Sequence, residues 1–144
     1  MSKKIEHGRY SIERHNNGVI TCELSGIFNK EGVDAWVLEM RSTIEPIKTH
    51  PFGLLIDVRN YAGATEDALQ AANNFHEWLM HSMLVCQAHV ISSPTLYSIS
   101  LSRIPALKHH VIKSFLGIDE ASTWVAEKLA SETMSVTSDD HSLC

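Results

Sequence analysis

The stretch FGLLIDV, residues 52–58, decides the fold class. Its apolar side chains are almost continuous, which is typical of a strand that is buried on both faces of a sheet. Such strands occur in α/β proteins, where helices cover a largely parallel sheet. Asp57 lies near the end of the run. The sequence therefore predicts a carboxylate at the carboxyl edge of a central strand, which is where open α/β sheets place their ligand sites.

Helices and strands alternate on both sides of this central strand. Before it, Asn17-Gly18 joins two alternating strands into a hairpin, and a helix with an apolar stripe through Val33, Trp36 and Met40 follows. After it, helical and strand patterns alternate to residue 130. The sequence thus predicts an α/β fold, with an N-terminal β-hairpin followed by alternating α and β elements. About four helices would cover a mixed, mostly parallel sheet of about five strands.

Three boundaries of these predicted elements matter for the site. The second strand is expected to end at Gly26, because glycine is unfavourable inside a strand. Residues 59–64 are expected to form a turn, and residues 65–83 the second helix. Residues 10–130 would be a single domain, with a flexible segment at 1–9 and a polar, disordered tail at 131–144.

Composition excludes several classes of protein. The net charge of −5 argues against nucleic-acid binding, which normally requires a basic surface. The three cysteines are widely spaced and predict no disulfide framework. The first residues lack the apolar core of a signal peptide. A cytoplasmic protein is therefore expected.

The motif HEWLMH, residues 76–81, looks at first like a zinc-protease motif. Its two histidines are five residues apart, however, whereas HExxH places them four apart on one face of a helix. His76 falls on the predicted buried stripe of the second helix, so a hydrogen-bonded core histidine is expected. No metal site, glycine-rich phosphate loop or cofactor is predicted.

Asp57 and His89 are the one pair that suggests catalysis. They lie on different predicted strands and are able to approach each other, but no nucleophile stands at a recognisable strand-to-helix turn. The favoured interpretation is a protein without enzymatic activity, and an uncharacterised hydrolase or transferase is the weakest alternative.

Three stretches carry a resemblance to a known family. They read GVITCELSGIFNKEGVDAW, FGLLIDVRNYAGATEDAL and IKSFLGIDEASTWV. Together they resemble the SpoIIAA-like branch of STAS domains over about residues 10–129. This resemblance implies a regulatory domain that binds a protein partner, such as an anti-sigma-factor kinase. In that family a serine at the start of the second helix is phosphorylated, whereas this chain has Thr65-Glu66-Asp67 there. Thr65 is the remaining candidate phosphoacceptor.

The leading hypothesis is therefore a non-catalytic, STAS-type regulatory or protein-interaction module without the usual phosphoacceptor serine. The partner would be another protein or a second copy of the chain. Its binding surface would combine the end of the central strand, the start of the second helix and a second apolar strip on that helix. The candidate residues are Asp57, Arg59, Thr65, Glu66, Asp67, Phe75 and Trp78.

The alternative hypothesis is an apolar-ligand or membrane-surface module. The stretch 93–108 is apolar around most of its circumference, which is typical of a helix packed between neighbours, a mobile lid or an interfacial element. The superfold is also similar to lipid carriers of the CRAL-TRIO type. This hypothesis predicts a cavity between the third helix and the sheet, and allows a peripheral location at the inner membrane. The candidate lid residues are Leu96, Tyr97, Ile99, Leu101 and Ile104.

Overall fold

The structure, a computed structural model, describes the backbone of residues 5–142 and the side chains of residues 5–132. Residues 1–4, 143 and 144, which belong to the predicted N-terminal segment and tail, lie outside the described residues. The strands are β1 (Arg9–Arg14), β2 (Val19–Phe28), β3 (Phe52–Ala64), β4 (Leu84–Val90) and β5 (Ile112–Phe115). The α-helices are α1 (Lys30–Ile44), α2 (Glu66–Leu79), α3 (Pro94–Ser102) and α4 (Ile118–Ser142). Two short 3-10 helices, Glu45–Ile47 and Pro105–His109, follow α1 and α3.

The five strands form one sheet in chain order, β1-β2-β3-β4-β5. The β1–β2 hairpin is antiparallel, and β2, β3, β4 and β5 are parallel to one another. Helices connect each parallel pair, as parallel pairing requires. The predicted fold class is therefore confirmed, including the hairpin, the mixed sheet and the number of strands and helices.

The sheet separates two hydrophobic clusters. On one face, α1 and α2 cover a large core that includes Ile20, Trp36 and Leu54. On the other face, α4 places Ala121, Val125 and Leu129 against the sheet. A residue and its neighbour in a strand point to opposite faces, which is why Leu54 and Leu55 belong to different clusters.

Strands β2 and β3 both continue beyond their predicted ends, so the predicted turn at 59–64 is wrong. Their parallel pairing runs from Val19↔Gly53 to Phe28↔Ala64 and includes two register shifts. Gly26 and Gly63 have φ values of +83° and +127°, which residues with a side chain rarely adopt. Because glycine tolerates these values, the two strands continue through the register shifts. The ends of β2 and β3, paired only with each other, therefore project beyond the carboxyl edge of the rest of the sheet.

Three helix ends also differ from the sequence prediction. Helix α2 ends at Leu79 and is followed by a turn, whereas the prediction extended it to residue 83. Helix α3 ends at Ser102, three residues before Pro105, and the chain continues as a 3-10 helix. Helix α4 continues to Ser142, where a disordered tail from residue 131 was predicted; residues 131–142 contain no glycine or proline to interrupt a helix.

The N-terminal segment contacts the body of the domain within its described part. The Asn29 amide donates to the carbonyl of Ile5 over 2.8 Å, and its side-chain oxygen accepts from the His7 backbone N–H over 2.9 Å. The same oxygen accepts from Gly32 and so caps α1. Residues 5–7 are therefore tied to the start of α1, although residues 1–9 were predicted to be flexible.

Candidate functional site

A cavity of about 150 Å³ lies between α3 and the carboxyl edge of the sheet. Its walls are mainly aliphatic and aromatic, and they come from four parts of the fold. The sheet contributes Leu24, Phe28, Ile56, Val58, Tyr61 and His89, and Ile91 follows β4. Helix α1 contributes Val33 and Trp36. Helix α2 contributes Ala68, Leu69, Ala72 and His76. The α3 segment contributes Leu96, Tyr97, Ser100, Leu101 and Ile104. The predicted cavity between the third helix and the sheet is therefore present.

Helix α3 covers this cavity without being buried itself. Pro94 occupies its first turn and the Ser93 hydroxyl accepts from the Leu96 N–H over 3.3 Å, so Ser93 and Pro94 start the helix. None of its residues is buried; Leu96 is 65% exposed and Ile99 is 56% exposed. Four of the five candidate lid residues line the cavity, whereas Ile99 does not.

Polar contacts attach α3 and the 3-10 helix that follows it to the rest of the domain. The hydroxyl of Tyr97 is 2.7 Å from Nδ1 of His89 on β4. Beyond the helix, Arg103 forms an ion pair with Glu66 over 3.0 Å, and both side chains are exposed. The Ala106 N–H donates to Asn73 on α2 over 2.8 Å, and Ala106 and Leu107 are buried. The 3-10 helix is thus anchored by packing, whereas the body of α3 has mainly the Tyr97 contact.

A row of hydrogen-bonded polar side chains crosses this face of the sheet. Nε2 of His89 is 2.9 Å from the Gln87 carbonyl oxygen, and the Gln87 amide nitrogen is 3.3 Å from Nδ1 of His76. The carbonyl oxygen accepts, so Nε2 of His89 carries the proton and its Nδ1 accepts from the Tyr97 hydroxyl. The amide likewise donates to His76. We call Tyr97, His89, Gln87 and His76 the polar row.

Both histidines of the polar row are held neutral by their surroundings. Burial lowers the pKa of His76 to about 3 and that of His89 to about 4, because desolvation disfavours the imidazolium form. Burial also raises the pKa of Tyr97 to about 12. The predicted core role of His76 is confirmed. Gln87, which is fully buried, was not predicted as a site residue; the signal for it was two polar residues, Gln87 and His89, on one face of an apolar strand.

Asp57 and His89 do not form a site. Ile56 pairs with His89 and Asp57 pairs with Val90 across the β3–β4 ladder. Paired residues point to the same face and successive residues to opposite faces, so Asp57 points away from His89. The Asp57 carboxylate is instead bound by Arg59, with contacts of 3.0 Å to Nε and 2.8 Å to an amino group. These hydrogen bonds hold the pKa of Asp57 below its ordinary value. The hydrolase or transferase alternative thereby loses its catalytic pair.

The start of α2 presents an exposed acidic surface, as predicted. Thr65, Glu66 and Asp67 are all exposed. The Thr65 hydroxyl donates to the Asp67 carboxylate over 2.6 Å, and this bond lowers the pKa of Asp67. Arg59, which is also exposed, lies with Asp57 at the end of the regular part of the sheet. Asp57 is 8% exposed and is paired with Arg59, so its carboxylate is not free for a partner.

The apolar strip predicted on the surface of α2 is largely internal. Phe75 is 2% exposed and packs edge-on against Trp36, with ring centroids 5.1 Å apart. Trp78 is half-buried; it stacks on Phe75 and lies under the Arg41 guanidinium, 4.5 Å from the ring centre. Phe75 as a partner-binding residue was therefore a wrong prediction, because α1 packs over that side of α2. Trp78 remains partly accessible.

The described part of the chain holds neither a candidate metal cluster nor a candidate membrane span. Within residues 5–132, no group of three or more histidine, cysteine or acidic side chains is placed to hold a metal ion. In the same part of the chain, no helix combines the length and apolar character needed to cross a membrane.

Comparisons with known proteins identify the fold. An uncharacterised protein of the DUF3478 family with a SpoIIAA-like fold, from Shewanella loihica PV-4, superposes with a TM-score of 0.66 at 17% identity. The alignment covers 87% of this chain and 98% of that one. An anti-sigma factor antagonist from Mycobacterium paratuberculosis gives a TM-score of 0.57 at 20% identity, covering 83% and 94% of the two chains. No protein-family model matches the sequence, and no curated protein does. The chain therefore has a SpoIIAA-like (STAS) fold.

Proposed function

We propose that this SpoIIAA-like domain is a non-catalytic regulatory module that binds a small apolar molecule beneath α3, with α3 as the lid. The observation that carries the proposal is the cavity itself, which is apolar and lies at the carboxyl edge of a parallel sheet. A mainly apolar cavity of about this volume accommodates a molecule about the size of benzene. A longer ligand would extend from the cavity toward solvent.

The packing of α3 supports its role as a lid. A helix that places Tyr97 and Leu101 over a cavity, yet buries none of its residues, gains little free energy from its closed position. Movement of such a segment therefore costs little, and it opens a path to the cavity. The buried 3-10 helix after Ser102 would act as the fixed end.

Regulation is supported by the fold and by one contact. The anti-sigma factor antagonist is a structural neighbour of this chain. In addition, the Arg103–Glu66 ion pair joins the end of the lid to the exposed start of α2. Opening or closing α3 would change how Glu66 is presented to a protein partner, so ligand binding and partner binding would be linked.

The proposal is tested by titration with toluene, followed by calorimetry or ligand-detected NMR. Ser100 lines the cavity from the lid side, whereas Ser98 is exposed on the same helix. We expect saturable binding by the unmodified chain and by Ser98→Phe, and at least about tenfold weaker binding by Ser100→Phe, whose ring occupies the cavity. Thermal unfolding of both variants checks that they fold. No saturable binding, or equal affinity in the two variants, would contradict the proposal.

The second candidate function is protein binding at the acidic start of α2. It is favoured by the consecutive exposed side chains of Thr65, Glu66 and Asp67 at the start of α2. The half-buried Trp78, at the opposite end of the same helix, would extend the contact along it. A partner with a basic surface fits this charge. In a pull-down followed by identification of the captured protein, Glu66→Lys and Trp78→Ala should both release it. A captured partner that both variants retain would exclude this surface.

The outer side of the lid offers a further contact. Ile99 is exposed there, and exposed Arg103 and Lys108 follow in sequence. This combination is suited to a membrane surface or to a second copy of the chain. Co-sedimentation with anionic vesicles and analytical ultracentrifugation distinguish the two, with Ile99→Asp as the variant that should abolish either contact. If the unmodified chain neither sediments with the vesicles nor dimerises, this contact is excluded.

A further inference from the structure

We propose that the cavity beneath α3 selects uncharged apolar molecules over apolar anions such as carboxylates; this inference rests on the ligand-binding function proposed above. It follows from the charge of the cavity wall. Among the residues that the structure describes, no lysine, arginine, aspartate or glutamate lines the cavity. An anion that enters the cavity would lose hydration and find no countercharge.

Gln87 and His89, the polar side chains of β4 beside the cavity, are already engaged within the polar row. Both nitrogens of His89 and both polar ends of the Gln87 amide are used within the polar row. A carboxylate would have to break these hydrogen bonds to obtain donors, and buried partners would be left unsatisfied. The remaining polar lining consists of serine hydroxyls, the Tyr61 hydroxyl and the Trp36 indole N–H, which donates to Cys22; none of these groups carries a charge at pH 7.

The wall is also neutral near physiological pH. Burial keeps the pKa values of His76 and His89 well below their ordinary range and raises that of Tyr97. An imidazolium cation, which could attract an anionic head group, is therefore absent from the polar row at pH 7. Geometry and protonation state thus lead to the same selectivity.

Two arginines close to the site have their charges paired. Arg103, just beyond α3, binds Glu66, and Arg59, whose carbonyl is 3.4 Å from the Ser92 hydroxyl at the cavity, binds Asp57. An anionic head group would compete with these carboxylates. Neither arginine offers an unpaired charge at the edge of the cavity.

The test compares two ligands with the same carbon chain, hexan-1-ol and hexanoate, at pH 7 on the full chain, with toluene as the reference. We expect hexan-1-ol to bind and hexanoate to bind at least about tenfold more weakly, because only hexanoate brings a charge. Equal or tighter binding of hexanoate would overturn the inference, and so would failure of hexan-1-ol to bind while toluene binds. If toluene also fails to bind, the proposed function itself is overturned, and the inference with it.

A positive charge placed in the wall should weaken or remove the preference of the cavity for uncharged ligands. Ser100→Lys introduces an ammonium group at the cavity, whereas Ser98→Lys adds the same charge on the exposed side of α3. We expect Ser100→Lys to raise the affinity for hexanoate relative to hexan-1-ol by about tenfold, and Ser98→Lys to leave the ratio unchanged. An unchanged ratio in Ser100→Lys, or an equal change in both variants, would overturn the inference. Thermal unfolding confirms that both variants are folded.

Discussion

Helices α3 and α4 lie on opposite faces of the sheet and pack in opposite ways. Helix α4 buries Ala121, Val125 and Leu129 against β3 and β4. The fit is so close that a Cβ atom on Gly53 would lie 2.7 Å from a methyl group of Val125. Helix α3 buries no residue and covers a cavity. One helix therefore packs closely against the sheet, whereas the other leaves a cavity between itself and the sheet.

The largest predicted effect on stability comes from a substitution that disrupts the packing of α4. Val125→Asp places an unpaired charge at a fully buried position, and we expect it to lower the free energy of unfolding by about 3–5 kcal/mol. Ile99→Asp, the same type of change on α3, should alter it by less than about 0.5 kcal/mol because Ile99 is largely exposed. Urea unfolding measures both. Similar losses of unfolding free energy in the two variants would contradict the proposed difference in packing between α3 and α4.

The second prediction concerns the polar row beside α3. His76 and His89 have pKa values of about 3 and 4 in the folded chain, below the ordinary value of 6.5, so the unfolded chain binds more protons between these limits. Their contribution to stability is present above about pH 6.5 and is lost as the pH falls toward 4. The loss from pH 7 to pH 5 should be about 2 kcal/mol for each histidine.

Urea unfolding at the two pH values tests this prediction. His76→Gln should remove about half of the loss, while His50→Gln, a change of an exposed histidine, should leave the loss unchanged. Equal stability of the unmodified chain at pH 7 and pH 5 would show that the row does not hold its histidines neutral.

The smallest predicted effect concerns the ion pair at the end of the lid. Arg103→Gln removes the exposed pair with Glu66 and should lower the free energy of unfolding by less than about 1 kcal/mol, as Lys48→Gln should for the exposed Lys48–Glu45 pair. The two variants should differ in hydrogen exchange, since only Arg103→Gln loosens α3 and speeds exchange of its amides. Unchanged exchange in α3 would mean that the pair does not restrain the lid.

The sequence predicted the fold where one physical signal dominated. The continuous apolar run at 52–58 became the central strand, and the stripe through Val33, Trp36 and Met40 became the buried face of α1. Asn29, a residue type favoured at this position, caps that helix. These features depend on local pattern and burial, which are readable from residue order.

The site was less predictable because it depends on pairing and on neighbours. The continuation of β2 and β3 requires two register shifts, which no single-strand pattern reveals. Phe75 and Trp78 belong to the same strip of α2, yet only the position of α1 determines that Phe75 is buried. Asp57 and His89 lie on adjacent strands, but the β3–β4 register places them on opposite faces. Such facts follow from tertiary structure and not from spacing along the chain.

The most direct test of the account is native-state hydrogen exchange with and without saturating toluene, comparing the amides of α3 and α4. The account predicts that toluene slows exchange in α3 several-fold, because a ligand that binds the closed form shifts the lid toward closure. Exchange in the part of α4 that packs on the sheet should show little change, since α4 does not line the cavity. No change in α3, or equal slowing of both helices, would contradict the assignment of α3 as the lid of a ligand site.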